Sequence, residues 1–316
     1  FGEVPGVATD SKGNVYVFSR SGATGGPAYG PTAAQLLEFT PNGEFIREVG
    51  RDLYGWAFAH SVRIDKNDNI WAIDKGSDMI IRFNQAGRVQ WVFGRRKESA
   101  DGAEPWEHTN PPAPPRDGSF RQPTDVAWDS QGNIYITDGY INSRVAKYDK
   151  NGDWVKSFGD PGTGPGQFRT PHAIAIDKND NVYVGDRGNA RVTVLDNDLN
   201  LKANYDQTGN PWAVCVSGGP GPKNPGKQYL YVSNSWPDSA PAAQAEYTGE
   251  VYKMELDGTI IGKFGKGGKA AGEFSTIHQM DCRDPNTIFT AEINNWRSQK
   301  ILLKPTATPS RTSGAN

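Results

Sequence analysis

The stretch Pro171-His172-Ala173-Ile174-Ala175-Ile176-Asp177-Lys178-Asn179-Asp180-Asn181-Val182-Tyr183-Val184-Gly185-Asp186 decides the fold. It reads as an apolar strand, an Asp/Asn turn and a second strand of β-branched and aromatic character, the pattern of a hairpin. Nearly the same string runs from Ala59 through His60, Asp65 and Trp71 to Asp74, and again from Pro123 through Thr124, Asp129 and Tyr135 to Asp138. Each copy continues into two outer strands. In the third copy these are Arg144 to Tyr148 and Trp154 to Phe158, joined by a turn at Lys150-Asn151-Gly152. Four strands in a unit of roughly 40 to 50 residues match a propeller blade.

Six copies follow from one recurring slot, five residues before the turn-initiating Asp where one exists, occupied by Pro5, His60, Thr124, His172, Trp212 and His278; the turns after Trp212 and His278 are degenerate. The expected fold is all-β, a six-bladed β-propeller of four-stranded antiparallel blades. It forms a single domain over residues 1–305, followed by a tail at 306–316 read as disordered. The sixth blade shows three strands, and its fourth is expected from residues at or before Phe1, which would close the ring.

Composition narrows the function classes. A net charge of -2 over 316 residues offers no basic field for nucleic acid. No apolar run approaches the length of a membrane span, so no membrane role is expected, and the chain is taken as a monomer. Cys215 and Cys282, both on predicted inner strands, read as buried free thiols in preference to a disulfide. The start at Phe1 without methionine reads as a removed targeting segment or a trimmed chain. Insertions at 21–34, 95–119 and 235–248 project from the same rim as the slot residues, whereas 217–227 projects from the opposite face.

Three of the four histidines stand in alternate slots: His60, His172 and His278. A purely structural residue would be expected in every blade, whereas the histidines alternate with Pro5, Thr124 and Trp212. Alternate blades sit about a third of a turn apart in a six-bladed ring, so three imidazoles would converge on the axis. Three neutral imidazoles with an open position are the pattern of catalytic zinc, favoured over copper, nickel or iron on ligand type. The fourth histidine, His108, lies outside the register in a Pro-rich loop and reads as solvated.

The ends of the second strands reach the same rim. Arg20 and Arg187 there suit a grip on a carboxylate-bearing small molecule or peptide. Tyr140, after Asp138-Gly139, is a candidate base, because neighbouring positive charge favours a phenolate.

These residues resemble the peptidylamidoglycolate lyases, or peptidyl-α-hydroxyglycine α-amidating lyases, built on an NHL-type six-bladed propeller. The likeness is carried by Gln122-Pro-Thr-Asp-Val-Ala127, Asp138-Gly-Tyr140-Ile-Asn-Ser-Arg144, Gly164-Pro-Gly-Gln-Phe168, Pro171-His172 and Asp186-Arg187-Gly-Asn-Ala-Arg191. The resemblance implies His60, His172 and His278 as zinc ligands, Tyr140 as catalytic base, and Arg20 and Arg187 as active-site arginines. It also implies a calcium ion deeper in the channel, held by the backbone carbonyls of Val7 and Val62 and by a carboxylate at the position of Gln279. An amide there supplies no charge, so that calcium site is expected to be weakened. Thr276 replaces the family's methionine and Ile141 one of the animal enzymes' cysteines. The reaction implied is cleavage of an N-acyl or peptidyl α-hydroxyglycine to an amide and glyoxylate, in a secreted or periplasmic enzyme. Two alternatives stay open: a zinc-dependent lactone or ester hydrolase on the same site, and a non-catalytic binding module using rim aromatics such as Trp106, Trp236 and Tyr247.

Overall fold

In a computed structural model the described residues are 1–303, apart from 22–25, 29, 31, 103, 219–225, 236–247 and 285. The expected tail at 306–316, and Trp236 and Tyr247, lie outside them. Alternating apolar residues fold into six antiparallel blades spanning 3–49, 59–93, 125–158, 171–205, 211–264 and 277–302. The first five blades are four-stranded. Among the described residues the sixth has three strands, Ile277–Asp284, Thr287–Glu292 and Arg297–Leu302. Phe1 and Gly2 do not supply the expected fourth; the Phe1 ring packs on Phe39 instead. No helix among the described residues is long and apolar enough to cross a membrane.

The repeat's recurring acids are structural. Asp177 accepts from the backbone N–H of Asn179 and Asn181 and from the Tyr183 hydroxyl, fixing the turn between the first two strands. Asp65 and Asp129 do the same work in their blades. At the other end, Asp74 caps the backbone of Ala57, Phe58 and Ser77 from the end of the second strand of blade 2. The core lies between the blade faces, where Phe18, Leu36, Trp56 and Phe83 join blade 1 to blade 2 and Tyr135, Phe168, Val184 and Leu195 join blade 3 to blade 4.

The cysteine expectation is corrected. Cys215 and Cys282 form a disulfide joining the inner strands of blades 5 and 6, with Cα atoms 6.0 Å apart. The physical reason is lateral: adjacent inner strands run side by side along the channel, which brings the two Cβ atoms within bonding reach.

Candidate metal centre

The slot is a β-bulge. In blade 2 the pairing passes from Ala59↔Asp74 to Ser61↔Ile73 and skips His60. His172 and His278 are skipped in the same way. An extra residue in the inner strand re-aims its side chain, here toward the axis of the ring. The three rings meet there, with centroids 4.7, 4.5 and 4.5 Å apart and one nitrogen of each within 4.8 Å of the others.

Each imidazole is fixed by the next blade. The Nδ1 of His60 lies 2.7 Å from the Thr124 carbonyl, that of His172 2.6 Å from Trp212, and that of His278 2.9 Å from Pro5. A carbonyl only accepts, so Nδ1 carries the proton and Nε2 keeps its lone pair for the axis. Burial pushes all three imidazoles well below their ordinary pKa. His278 adds to this at His60, Arg187 at His172 and Arg20 at His278. Neutral rings are what a metal requires. The buried Nε2 of His172 has no hydrogen-bond partner among the described residues, an orphan that a metal ion would satisfy. The donor set therefore fits a divalent metal.

Around this centre the rim gathers aromatic rings and cations. The Tyr140 hydroxyl is 3.4 Å from His60 Nε2, and the residue is only 6 % exposed. Arg187 stacks on Trp212, 4.0 Å from its ring centroid, and its buried Nη1 has no partner among the described residues. Arg20 is already engaged: its Nε pairs with Glu3 and its Nη1 donates to the Ala59 carbonyl at 3.1 Å. Sequence reasoning missed Lys75, whose buried ammonium pairs with Glu107 and lies over the Tyr140 ring. A signal existed, because Lys75 follows Asp74 in blade 2 as Arg187 follows Asp186 in blade 4. The insertion at 95–119 brings Glu107 to Lys75, packs the half-buried Trp106 on Phe58, and leaves His108 exposed with its ring 6.1 Å from Tyr140.

The calcium expected deeper in the channel does not fit. Gln279 Oε1 accepts from the N–H groups of Val7 (2.9 Å) and Val62 (3.1 Å), while its Nε2 donates to the Val62 carbonyl at 2.8 Å. The amide thus occupies the carbonyl a cation would need, and Val7 meets it through N–H. Below it, Arg63 crosses the channel: its Nε donates to Asp125 at 2.9 Å, and its Nη groups reach the carbonyls of Met280 and, in the opposite blade, Val214. A guanidinium already holds the axial position, and a second cation beside it would be repelled.

The NHL repeat family matches residues 120–148 and 168–195. The chain is 28% identical over 217 residues to peptidylglycine alpha-amidating monooxygenase of Rattus norvegicus, covering 62% of this chain and 21% of that protein. It is 27% identical over 167 residues to the probable peptidyl-alpha-hydroxyglycine alpha-amidating lyase of Caenorhabditis elegans, covering 48% and 43%. The chain thus carries NHL repeats on a propeller and is similar to the amidating lyases. It is also 28% identical over 201 residues to the human NHL repeat-containing protein 3, covering 61% and 51%. The matches thus span between about a fifth and a half of these relatives' own lengths. A gluconolactonase of Xanthomonas campestris superposes with a TM-score of 0.59 at 14% identity, covering 92% of this chain and 84% of that one, a likeness of fold alone.

Proposed function

We propose that this chain is a zinc-dependent lyase that cleaves an N-acyl or peptidyl α-hydroxyglycine to an amide and glyoxylate. The observation that carries the reading is the neutral His60–His172–His278 cluster, its His172 Nε2 without a partner, with a tyrosine hydroxyl and an arginine whose Nη1 has no acceptor beside it. Three imidazole nitrogens suit zinc by ligand type. A zinc ion held there supplies Lewis acidity to the carbinol. Arg187, stacked on Trp212 and lacking an acceptor at Nη1, takes the substrate carboxylate. Arg20, held by Glu3, adds positive potential. Tyr140 receives the hydroxyl proton. As the oxygen pair freed from the O–H bond forms the second C–O bond of the aldehyde, the C–N pair leaves with nitrogen, which takes up a proton, so R-CO-NH-CH(OH)-COO⁻ yields R-CO-NH₂ and glyoxylate. The disulfide supports residence in an oxidising compartment, consistent with a secreted or periplasmic enzyme.

The test is product analysis on N-benzoyl-α-hydroxyglycine. Amide and glyoxylate in equal amounts support the reading, with Arg187→Met raising KM by about ten- to one hundred-fold for the lost charge-assisted contacts. Turnover of lactones or esters without release of glyoxylate would replace the lyase by a hydrolase.

A further inference from the structure

Lys75 is a fully buried cation at the rim, its side chain 1% exposed. Its mounting is rigid. The Lys75 N–H donates to the Phe58 carbonyl at 3.0 Å, and Asp74 binds the Phe58 N–H. The next residue, Gly76, lies so close to Phe58 that a Cβ would come within 2.7 Å of the Phe58 Cβ, so this turn has no slack. From it the ammonium enters a cage of three rings, 3.6 Å from the Tyr140 centroid, 4.3 Å from Trp106 and 5.1 Å from Phe58. Cation–π contacts in so dry a place are among the stronger ones.

The second anchor comes from the insertion. Glu107 pairs with Lys75 and has a backbone φ of 71°, a left-handed conformation unfavourable for a residue with a side chain. Gln122 stabilises that turn, its Oε1 accepting from the Glu107 N–H at 2.9 Å and its Nε2 reaching the Pro105 carbonyl at 3.3 Å. Strain of this kind persists where surrounding contacts over-determine it, commonly at functional sites.

We infer that Lys75 is a further positioning residue of the metal centre. Gripped by Glu107, it pins the 95–119 insertion over the site and holds the Tyr140 ring at the open side of the histidine cluster. This rests on the proposed role of that centre, but the pin itself is measurable without substrate. The charge count agrees: Glu3 compensates Arg20, Glu107 compensates Lys75, and Arg187 is left for the ligand.

The experiment compares Lys75→Met, Lys75→Arg and Glu107→Gln in the metal-loaded protein by two readouts. The first is backbone hydrogen exchange of residues 104–109, expected to rise by about ten-fold or more in Lys75→Met and Glu107→Gln and to return toward wild type in Lys75→Arg. The second is steady-state cleavage of N-benzoyl-α-hydroxyglycine. Displacing a group by about 1 Å costs roughly one hundred-fold, so Lys75→Met should lower kcat by about ten-fold or more with little change in KM. Unchanged exchange in Lys75→Met overturns the pin. An effect confined to KM overturns the positioning role and makes Lys75 a substrate contact. If the wild-type protein releases no glyoxylate, the lyase reading fails, and exchange alone decides the pin.

Discussion

The Nδ1 of His172 sits 2.6 Å from the backbone carbonyl of Trp212, one blade further round the ring. The same relation joins His60 to Thr124 and His278 to Pro5. Each histidine slot is oriented by a non-histidine slot through its main chain. That explains how three dissimilar residues can fill the alternate positions: the histidine uses only the carbonyl, which leaves the Trp212 ring to pack on Arg187 and the Thr124 hydroxyl to bond Pro171. Such partners fix the tautomer and raise the basicity of a ligating imidazole.

Metal binding should therefore stabilise the folded ring. Saturating zinc at about a thousand-fold over its Kd contributes about 4 kcal/mol by linkage, seen as a rise in Tm by calorimetry. His172→Ala should abolish that rise, while Thr124→Ser, which keeps the carbonyl oriented toward His60, should retain it.

Calcium should behave differently. Because Gln279 already joins the backbones of Val7 and Val62, added calcium or its chelation should leave Tm unchanged. Gln279→Ala removes three buried hydrogen bonds and orphans two N–H groups, at a cost of about 2–4 kcal/mol by chemical denaturation. A calcium-dependent Tm in the wild-type protein would contradict the geometry.

The disulfide predicts a stability step. Cys215 and Cys282 are 67 residues apart and staple blade 6 to blade 5. Chain-entropy reasoning assigns such a loop about 4 kcal/mol, an upper figure, so the Cys215→Ala/Cys282→Ala double variant should unfold at lower denaturant. An unchanged midpoint would show that the staple contributes nothing beyond the blade packing.

Lys75 gives a pH dependence of definite sign. Burial pushes its pKa down from 10.5 to about 7, against the pull of Glu107. Between about pH 7 and 10.5 the unfolded chain binds more protons at this residue than the folded one, so its contribution to stability improves as pH rises. Below that window the cost of burying the ammonium is fully present. Lys75→Met removes this term together with the Glu107 pair, so the Tm difference between variant and wild type should shift in the variant's favour toward about pH 6 and against it toward about pH 10.

Much of this was legible from residue numbers alone. Four slots follow from the spacing to Asp10, Asp65, Asp129 and Asp177, the other two from the repeat around them, and the histidine alternation follows from the slots. What sequence could not supply were contacts between neighbouring copies. The pairing of Cys215 with Cys282 depends on how inner strands lie against one another, and period-2 patterning within a blade carries no information about that. Glu3 beside Arg20 and Glu107 beside Lys75 are 17 and 32 residues apart, pairings that no local pattern in the sequence marks. Gln279 was legible as a departure, but the amide's three bonds required coordinates.

The most direct test of the central claim is glyoxylate release from N-benzoyl-α-hydroxyglycine before chelation, after metal stripping and after zinc return. Tyr140→Phe and His172→Ala serve as controls. Release that stops on stripping, returns with zinc and is absent in both variants is the predicted result. Equal release from stripped and zinc-loaded protein would contradict it, as would no release from protein shown to hold one zinc per chain.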